Sequence, residues 1–220
     1  MTNPDYTHIF AVVDRSGSMA GLSTESETAL KTLINEQFKL PGKLTVTVAE
    51  FDNSYDMVVD FSDNPNCLDD WTLIPRGTTA LHDAIGKTVV SVGERLAAMS
   101  EDERPGKVIG IIVTDGMENA SQDWNGSRIR DLVEQQTNQY GWEFIYTAAN
   151  QDAVMVGSSM GMRSNMNYAG TAKGTRSAYA AMNSSISSYR GGTTATVQVP
   201  VDADADDAPV TNEPTVDSNT

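Results

Sequence analysis

The chain has 220 residues, 39% of them apolar and 20% charged, with one cysteine and a net charge of −15 at pH 7. That length can enclose one large domain or two small ones around a substantial core. The charge opposes binding to nucleic acid or to an anionic membrane, since both are polyanions, and no run approaches the ~18 apolar residues of a membrane-spanning helix.

Strand-like and helix-like segments alternate along the chain. MTNPDYTH at the N-terminus lacks the basic start and apolar core of a secretory signal. With Cys67 as the only cysteine, no disulfide can close within the chain, and a cytoplasmic location is expected. His8 to Val13 is a short apolar run suited to a strand buried on both faces. Ser23 to Phe38 carries Leu30, Leu33, Ile34 and Phe38 at helical spacing and ends before Pro41-Gly42. Leu44–Phe51 and Tyr55–Phe61 read as two strands, and the turn Asp52-Asn53-Ser54 makes them an antiparallel hairpin. Asn64 to Arg76 is irregular around Trp71. A long helix is expected over Thr79–Met99, with Leu81, Ile85, Val89, Val92 and Leu96 at three- and four-residue steps.

Lys107–Thr114 reads as a second doubly buried strand, followed by a helix from about Gly126 to Gln139 and a strand starting at Trp142. Helices are expected over Gln151–Met160 and Thr171–Tyr189, with Gly161–Gly170 as a polar connector. Beyond Gly191-Gly192 the pattern stops. Residues 191–220 are expected to form an acidic, disordered tail after a folded domain over 1–190. Residues 201–220 hold six acidic side chains and no Lys or Arg. The order of elements predicts an α/β fold, a doubly wound, mostly parallel sheet with helices on both faces and one antiparallel edge strand. Such sheets bind ligands outside the carboxyl ends of their strands, where strand order reverses.

Three loops are expected at that edge: Asp14-Arg15-Ser16-Gly17-Ser18, Gly77-Thr78-Thr79 and Thr114-Asp115-Gly116. They offer carboxylates and hydroxyls but no His or Cys. An all-oxygen set suits a hard divalent cation, Mg²⁺ before Mn²⁺ or Ca²⁺, and disfavours Zn²⁺. Mg²⁺ takes about six oxygens at roughly 2.0–2.1 Å. Hydroxyls from Ser16, Ser18 and Thr79 would leave positions open, and Asp14 and Asp115 would balance its charge. A further carboxylate from a partner could fill an open position.

Asp-x-Ser-x-Ser after a first strand, Gly-x-Thr before a helix and Thr-Asp-Gly after a later strand together resemble the metal-ion-dependent adhesion site (MIDAS) of von Willebrand factor type A (VWA) domains. The resemblance covers roughly residues 5–190. It implies a Rossmann-like domain with a metal at Ser16, Ser18 and Thr79, with Asp14 and Asp115 acting directly or through water. An acidic side chain of a partner protein would complete the shell. Alignment on Gly-x-Thr-Ala-Leu favours Thr79 over Thr78. The stretch AANQDA (Ala148–Ala153) and the end at Tyr189-Arg190 resemble compact single-domain versions from bacteria and phages, which implies an AAA+ ATPase or an assembly factor as partner.

The expected function is therefore non-enzymatic, metal-dependent protein binding. One alternative is a metal-assisted phosphatase or hydrolase, although dehalogenase-like enzymes carry a second Asp where this chain has Ser16. The other is a structural assembly component that does not use metal. His82 could face the metal rim or simply sit in the first helical turn, whereas His8 is expected to be structural. Asn150 and Asp152 could form an outer ring or cap the next helix. Met155, Met160, Met162 and Met166 are expected to serve packing.

Overall fold

β1 (Asn3–Asp14) is the spine of the molecule, and nine successive residues from Tyr6 to Asp14 are buried. Its side chains alternate between the faces of the sheet, so each face needs its own helical cover. Ile9, Ala11 and Val13 pack with Leu30, Leu33 and Ile34 of α1 (Ser23–Phe38) and with Tyr179, Met182 and Ile186 of α5 (Ala172–Arg190). Phe10 and Val12 face the other way, onto Ile85 and Val89 of α2 (Leu81–Ala97) and Ile129 and Val133 of α3 (Gly126–Tyr140). The apolar runs thus belong to strands covered twice. The computed structural model describes residues 2–149 and 152–203.

The remaining elements are β2 (Lys43–Phe51), β3 (Tyr55–Ser62), β4 (Pro105–Thr114), β5 (Glu143–Ala149), α4 (Ala153–Ser159) and β6 (Ser164–Tyr168). The strand order is β3-β2-β1-β4-β5-β6. β3 pairs antiparallel with β2, and all other pairings are parallel. The expected fold class is the one observed. The chain winds outward from β1 through β2 to β3, then returns to place β4 on the other side of β1. Strand order therefore reverses between β1 and β4. Val13 stands opposite Val113 in that pair, which sets Asp14 level with Thr114 and Asp115 one residue further on at the same carboxyl edge.

Two segments depart from the expectation. The polar connector expected over 161–170 contains β6. Its sequence SNMNY has one large aliphatic side chain and no alternation long enough to read, yet parallel pairing with β5 satisfies its backbone and buries Met166 and Tyr168. Residues 193–203, assigned by sequence to the tail, run beside β6. Val197 is buried, its N–H donates to Glu143 Oε2 (3.2 Å), and Asn167 N–H donates to the Val201 carbonyl (2.7 Å). Residues 204–220 and Asn150 lie outside the described residues.

His8 is fully buried near the start of β1, far from the carboxyl edge. Nδ1 is 2.9 Å from Thr45 Oγ1, Nε2 has no hydrogen-bond partner among the described residues, and the ring stacks on Phe61 at 3.9 Å. Burial, helped by the charge of Arg95, lowers its pKa from 6.5 to about 3. In the unfolded chain His8 takes up a proton near 6.5, but in the folded chain only near 3. The stability present above pH 6.5 is therefore lost as pH falls through that window, with a slope approaching about 1.4 kcal/mol per pH unit. Urea midpoints between pH 7 and 4 should fall more steeply for the native chain than for His8→Gln. Equal slopes would show that His8 is not held neutral.

Candidate functional site

Each of the three loops is placed by a different device. Asp14 ends β1 and is fully buried. Its Oδ1 accepts the Ser16 N–H (2.6 Å), which turns the chain sharply after the strand, and its Oδ2 accepts the Thr114 hydroxyl (2.6 Å). The Thr114 hydroxyl in turn accepts the Gly116 N–H (3.1 Å). One buried carboxylate thereby clamps the ends of both central strands. Asp115 Oδ1 accepts the Ser18 hydroxyl (2.6 Å), and Ser18 Oγ lies 3.0 Å from Ser16 Oγ.

Thr79 comes from the loop before α2. Its N–H donates to Asn119 Oδ1 (2.9 Å), and its carbonyl accepts the N–H groups of Asn119 (3.0 Å) and Ala120 (3.2 Å). Thr79 is buried and Thr78 exposed, so Thr79 is the residue presented inward. The three hydroxyls converge on one point. A Cβ placed on Gly116 would stand 2.9 Å from Thr79 Oγ1, 3.2 Å from Ser18 Oγ and 3.5 Å from Ser16 Oγ. The structure thus brings Asp14, Ser16, Ser18, Thr79 and Asp115 into a single cradle that only a residue without a side chain leaves open.

Burial raises the pKa of Asp14, against hydrogen bonds from Thr114 and Ser16 that pull it down; burial likewise raises that of Asp115, against the Ser18 hydroxyl. Among the described residues neither carboxylate forms an ion pair. Nor, among them, does any group of three or more His, Cys, Asp or Glu side chains gather to hold a metal. The donors here are two carboxylates and three hydroxyls, a hard-oxygen set that fits Mg²⁺ or a similar cation and lacks the nitrogen or sulfur that Zn²⁺ prefers.

Arg15 is the residue that linear reading missed. It stands between Asp14 and Ser16, but its side chain turns away from the cradle and is 5% exposed. Nε donates to Asp52 Oδ2 (2.9 Å), Nη2 donates to Ser54 Oγ (3.1 Å), and the guanidinium also pairs with Glu50 and Asp56. Arg76 Nε adds a second bond to Asp52 Oδ2 (2.7 Å), and the Trp71 indole N–H donates to Glu50 Oε2 (3.0 Å). Burial alone would raise the Asp52 carboxyl. Hydrogen bonds from Arg76 and Ser54, with the charge of Arg15, instead lower its pKa to about 2. The backbone joins in, as Arg15 N–H donates to the Phe51 carbonyl (2.7 Å) and Arg76 N–H to the Arg15 carbonyl (2.8 Å). The loop after β1, the β2–β3 turn and the loop before Thr79 are thereby held as one unit. An acidic residue inside the apolar run LTVTVAEF was the available signal, since a buried carboxylate requires a cation.

The loop after Asp115 is ordered by two other carboxylates. Asp83 accepts the N–H groups of Gln122 (3.0 Å), Asp123 (3.0 Å) and Trp124 (2.8 Å), and the Trp124 indole lies on α2 where any side chain at Gly86 would meet it. Glu118 accepts from Ala120, Ser121 and the His82 backbone. His82 is therefore a neighbour of Glu118 and not one of the converging groups, its Nδ1 lying 3.6 Å from Glu118 Oε2. Asp152 caps α4 by accepting the Met155 N–H (2.9 Å). Met160, Met162 and Met166 are buried in the core, whereas Met155 is exposed.

Solved structures share this architecture. The PilB minor pilin from Streptococcus sanguinis superposes with a TM-score of 0.59 at 12% identity over 82% of this chain and 61% of the pilin. Proximal thread matrix protein 1 from the mussel byssus gives 0.57 at 14% identity over 80% of this chain and 44% of its own. A von Willebrand factor type A structure from Catenulispora acidiphila gives 0.52 at 11% identity over 81% of this chain and 42% of its own. The fold is VWA-like. At these identities the likeness is one of fold alone, and the chain spans less than two thirds of each of these neighbours. No protein-family model matches the sequence, and no curated protein matches it. Among the described residues of this VWA-like domain, no helix is long and apolar enough to cross a membrane.

Proposed function

We propose that the chain is a non-enzymatic protein-binding module whose contact is made through a divalent cation, Mg²⁺ first, with Mn²⁺ or Ca²⁺ as substitutes. Ser16, Ser18 and Thr79 would hold the ion through their hydroxyls, with Asp14 and Asp115 acting directly or through water, as in a MIDAS. The bound ion supplies a positive, incompletely ligated position at the carboxyl edge of the sheet. A carboxylate on a partner protein completes it, and an AAA+ ATPase or an assembly factor is the partner class that the sequence resemblance favours. The observation that carries this reading is the convergence of three hydroxyls on Gly116 beside two buried carboxylates that have no cationic partner among the described residues. The lone, half-buried Cys67 suits a protein of the reducing cytoplasm.

Hydrolysis has less support. Ser18 donates to the Asp115 carboxylate and His82 is turned to Glu118, so among the described residues no hydroxyl of this site is paired with a histidine base. Calorimetric titration with Mg²⁺ and Mn²⁺ tests the proposal. One site is expected, lost in Asp14→Ala and Asp115→Ala. A hundredfold excess of metal over Kd should raise stability by about 2.7 kcal/mol. Absence of binding at millimolar Mg²⁺ and Mn²⁺ would overturn the reading. A pull-down that loses its protein partner in EDTA and with Asp115→Ala would support it.

A further inference from the structure

Buried hydroxyls in folded proteins have partners, and several without one mark a place where something else is bound. On the face covered by α1 and α5, Ser26, Thr147, Tyr168 and Tyr179 are each at most 4% exposed, and none of their hydroxyls has a hydrogen-bond partner among the described residues. Their places follow from the register. Thr147 stands between Val113 and Met166, and Tyr168 stands opposite Ala149, two residues further along on the same face. Thr114 is opposite Ala148, so Ala149 is level with Asp115. Tyr168 reaches that level from two strands away, a span of roughly 10 Å at ~4.8 Å per inter-strand step.

The groups at this level complement one another. Burial raises the Tyr168 pKa, and Tyr179, Asp115 and Asp14 add to the rise in that order, so the phenol is a neutral donor lying within the field of both carboxylates of the cradle. Burial also raises the Tyr179 pKa, against the neighbouring Ser26 hydroxyl. Asp14 has both oxygens occupied, by the Ser16 N–H and the Thr114 hydroxyl. Asp115 accepts the Ser18 hydroxyl on Oδ1, and no other residue donates to it among the described ones. Tyr168 is thus a donor without an acceptor, and Asp115 Oδ2 an acceptor that no other residue serves.

We infer that Tyr168 is a positioning residue for the metal site: through one buried water, shared with Thr147 and Tyr179, it holds the second oxygen of Asp115 in place. This rests on the metal-binding reading above. Water suits the place because it accepts from a phenol and donates to a carboxylate, and the surrounding hydroxyls give it the two to four partners that a buried water takes. Ser18 alone would otherwise steer Asp115, and Ser18 must also turn a lone pair to the ion. Groups that orient a metal ligand from behind change affinity by about ten- to a hundredfold. β6 thereby gains a role, since it carries the phenol to the level of the cradle.

The test uses the full chain with and without Mn²⁺. Tyr168→Phe keeps the ring, so its urea midpoint should stay near that of the native chain while Mn²⁺ affinity falls about ten- to a hundredfold. In the metal-free chain the ¹³C signal of the Asp115 carboxyl should move in the same variant. Tyr168→Leu removes ring and hydroxyl together, and should bind Mn²⁺ as weakly as Tyr168→Phe although it is less stable. Loss of affinity in Tyr168→Leu alone would assign the effect to packing and overturn the inference. If Tyr168→Phe binds Mn²⁺ as tightly as the native chain, the inference falls and the metal site stands. An Asp115 signal unmoved in Tyr168→Phe would overturn it too, because the phenol would then not act on that carboxylate. If the native chain binds no Mn²⁺, the metal-site reading fails, and the inference with it.

Discussion

Replacing Arg15 by alanine is expected to cost about 3–5 kcal/mol of stability, the range for removing one partner of a buried ion pair. The side chain lies almost wholly inside the protein and is shared by Glu50, Asp52 and Asp56. Without it Arg76, whose own side chain is 57% exposed, is the one cation left in the cluster among the described residues, and it reaches Asp52 directly but Asp56 only at 3.6 Å. Glu50 would be left buried with the Trp71 indole N–H and no charge partner. Arg15→Lys should recover only part of the loss, because a single ammonium cannot reproduce the fork that serves Glu50, Asp52 and Asp56 together. Urea denaturation of the three chains measures both effects, and a loss below about 1 kcal/mol for Arg15→Ala would show that the cluster does not hold the loops. The same variant should weaken Mg²⁺ binding, since Arg15 fixes the backbone between two of the proposed ligands.

Gly116→Ala should do the opposite, leaving the fold nearly intact while removing metal binding. The new methyl group would occupy the point on which Ser16, Ser18 and Thr79 converge, closer than van der Waals contact to the Thr79 hydroxyl. No core packing is lost, so the stability change should stay within about 1–3 kcal/mol, the usual cost of inserting a methyl into a filled space. Mn²⁺ affinity should fall at least a hundredfold, because an octahedral shell at roughly 2.0–2.1 Å cannot share its space with a carbon. Electron paramagnetic resonance of free Mn²⁺ reads this directly. Tight binding by Gly116→Ala would move the ion away from the three hydroxyls and refute the proposed ligand set.

The alternation of apolar runs, the Asp-Asn-Ser turn and the helical stripes are local patterns, and they were enough to predict the doubly wound sheet and its antiparallel edge. β6 was hidden because its formation depends on the open edge of β5 and not on its own composition. The segment 193–203 was hidden for a related reason, since it is held by Glu143, Ser164 and Asn167 of the neighbouring strands and not by a pattern of its own.

In the candidate site, the oxygen-bearing residues were legible because each follows an apolar strand or precedes a helix in a short motif. Their convergence was not, because Ser18, Thr79 and Asp115 are brought together only by the reversal of strand order between β1 and β4. Arg15, Asp52 and Asp83 were illegible as positioning groups. Charge pairing in a protein interior is decided by which loops pack together, and Arg15 meets partners 35 to 41 residues away in sequence. Sequence by itself thus determined most of the elements and the oxygen chemistry of the three loops. Tertiary structure decided where those donors meet and which buried charges keep them there, because desolvated carboxylates take their partners from space and not from the chain's local order.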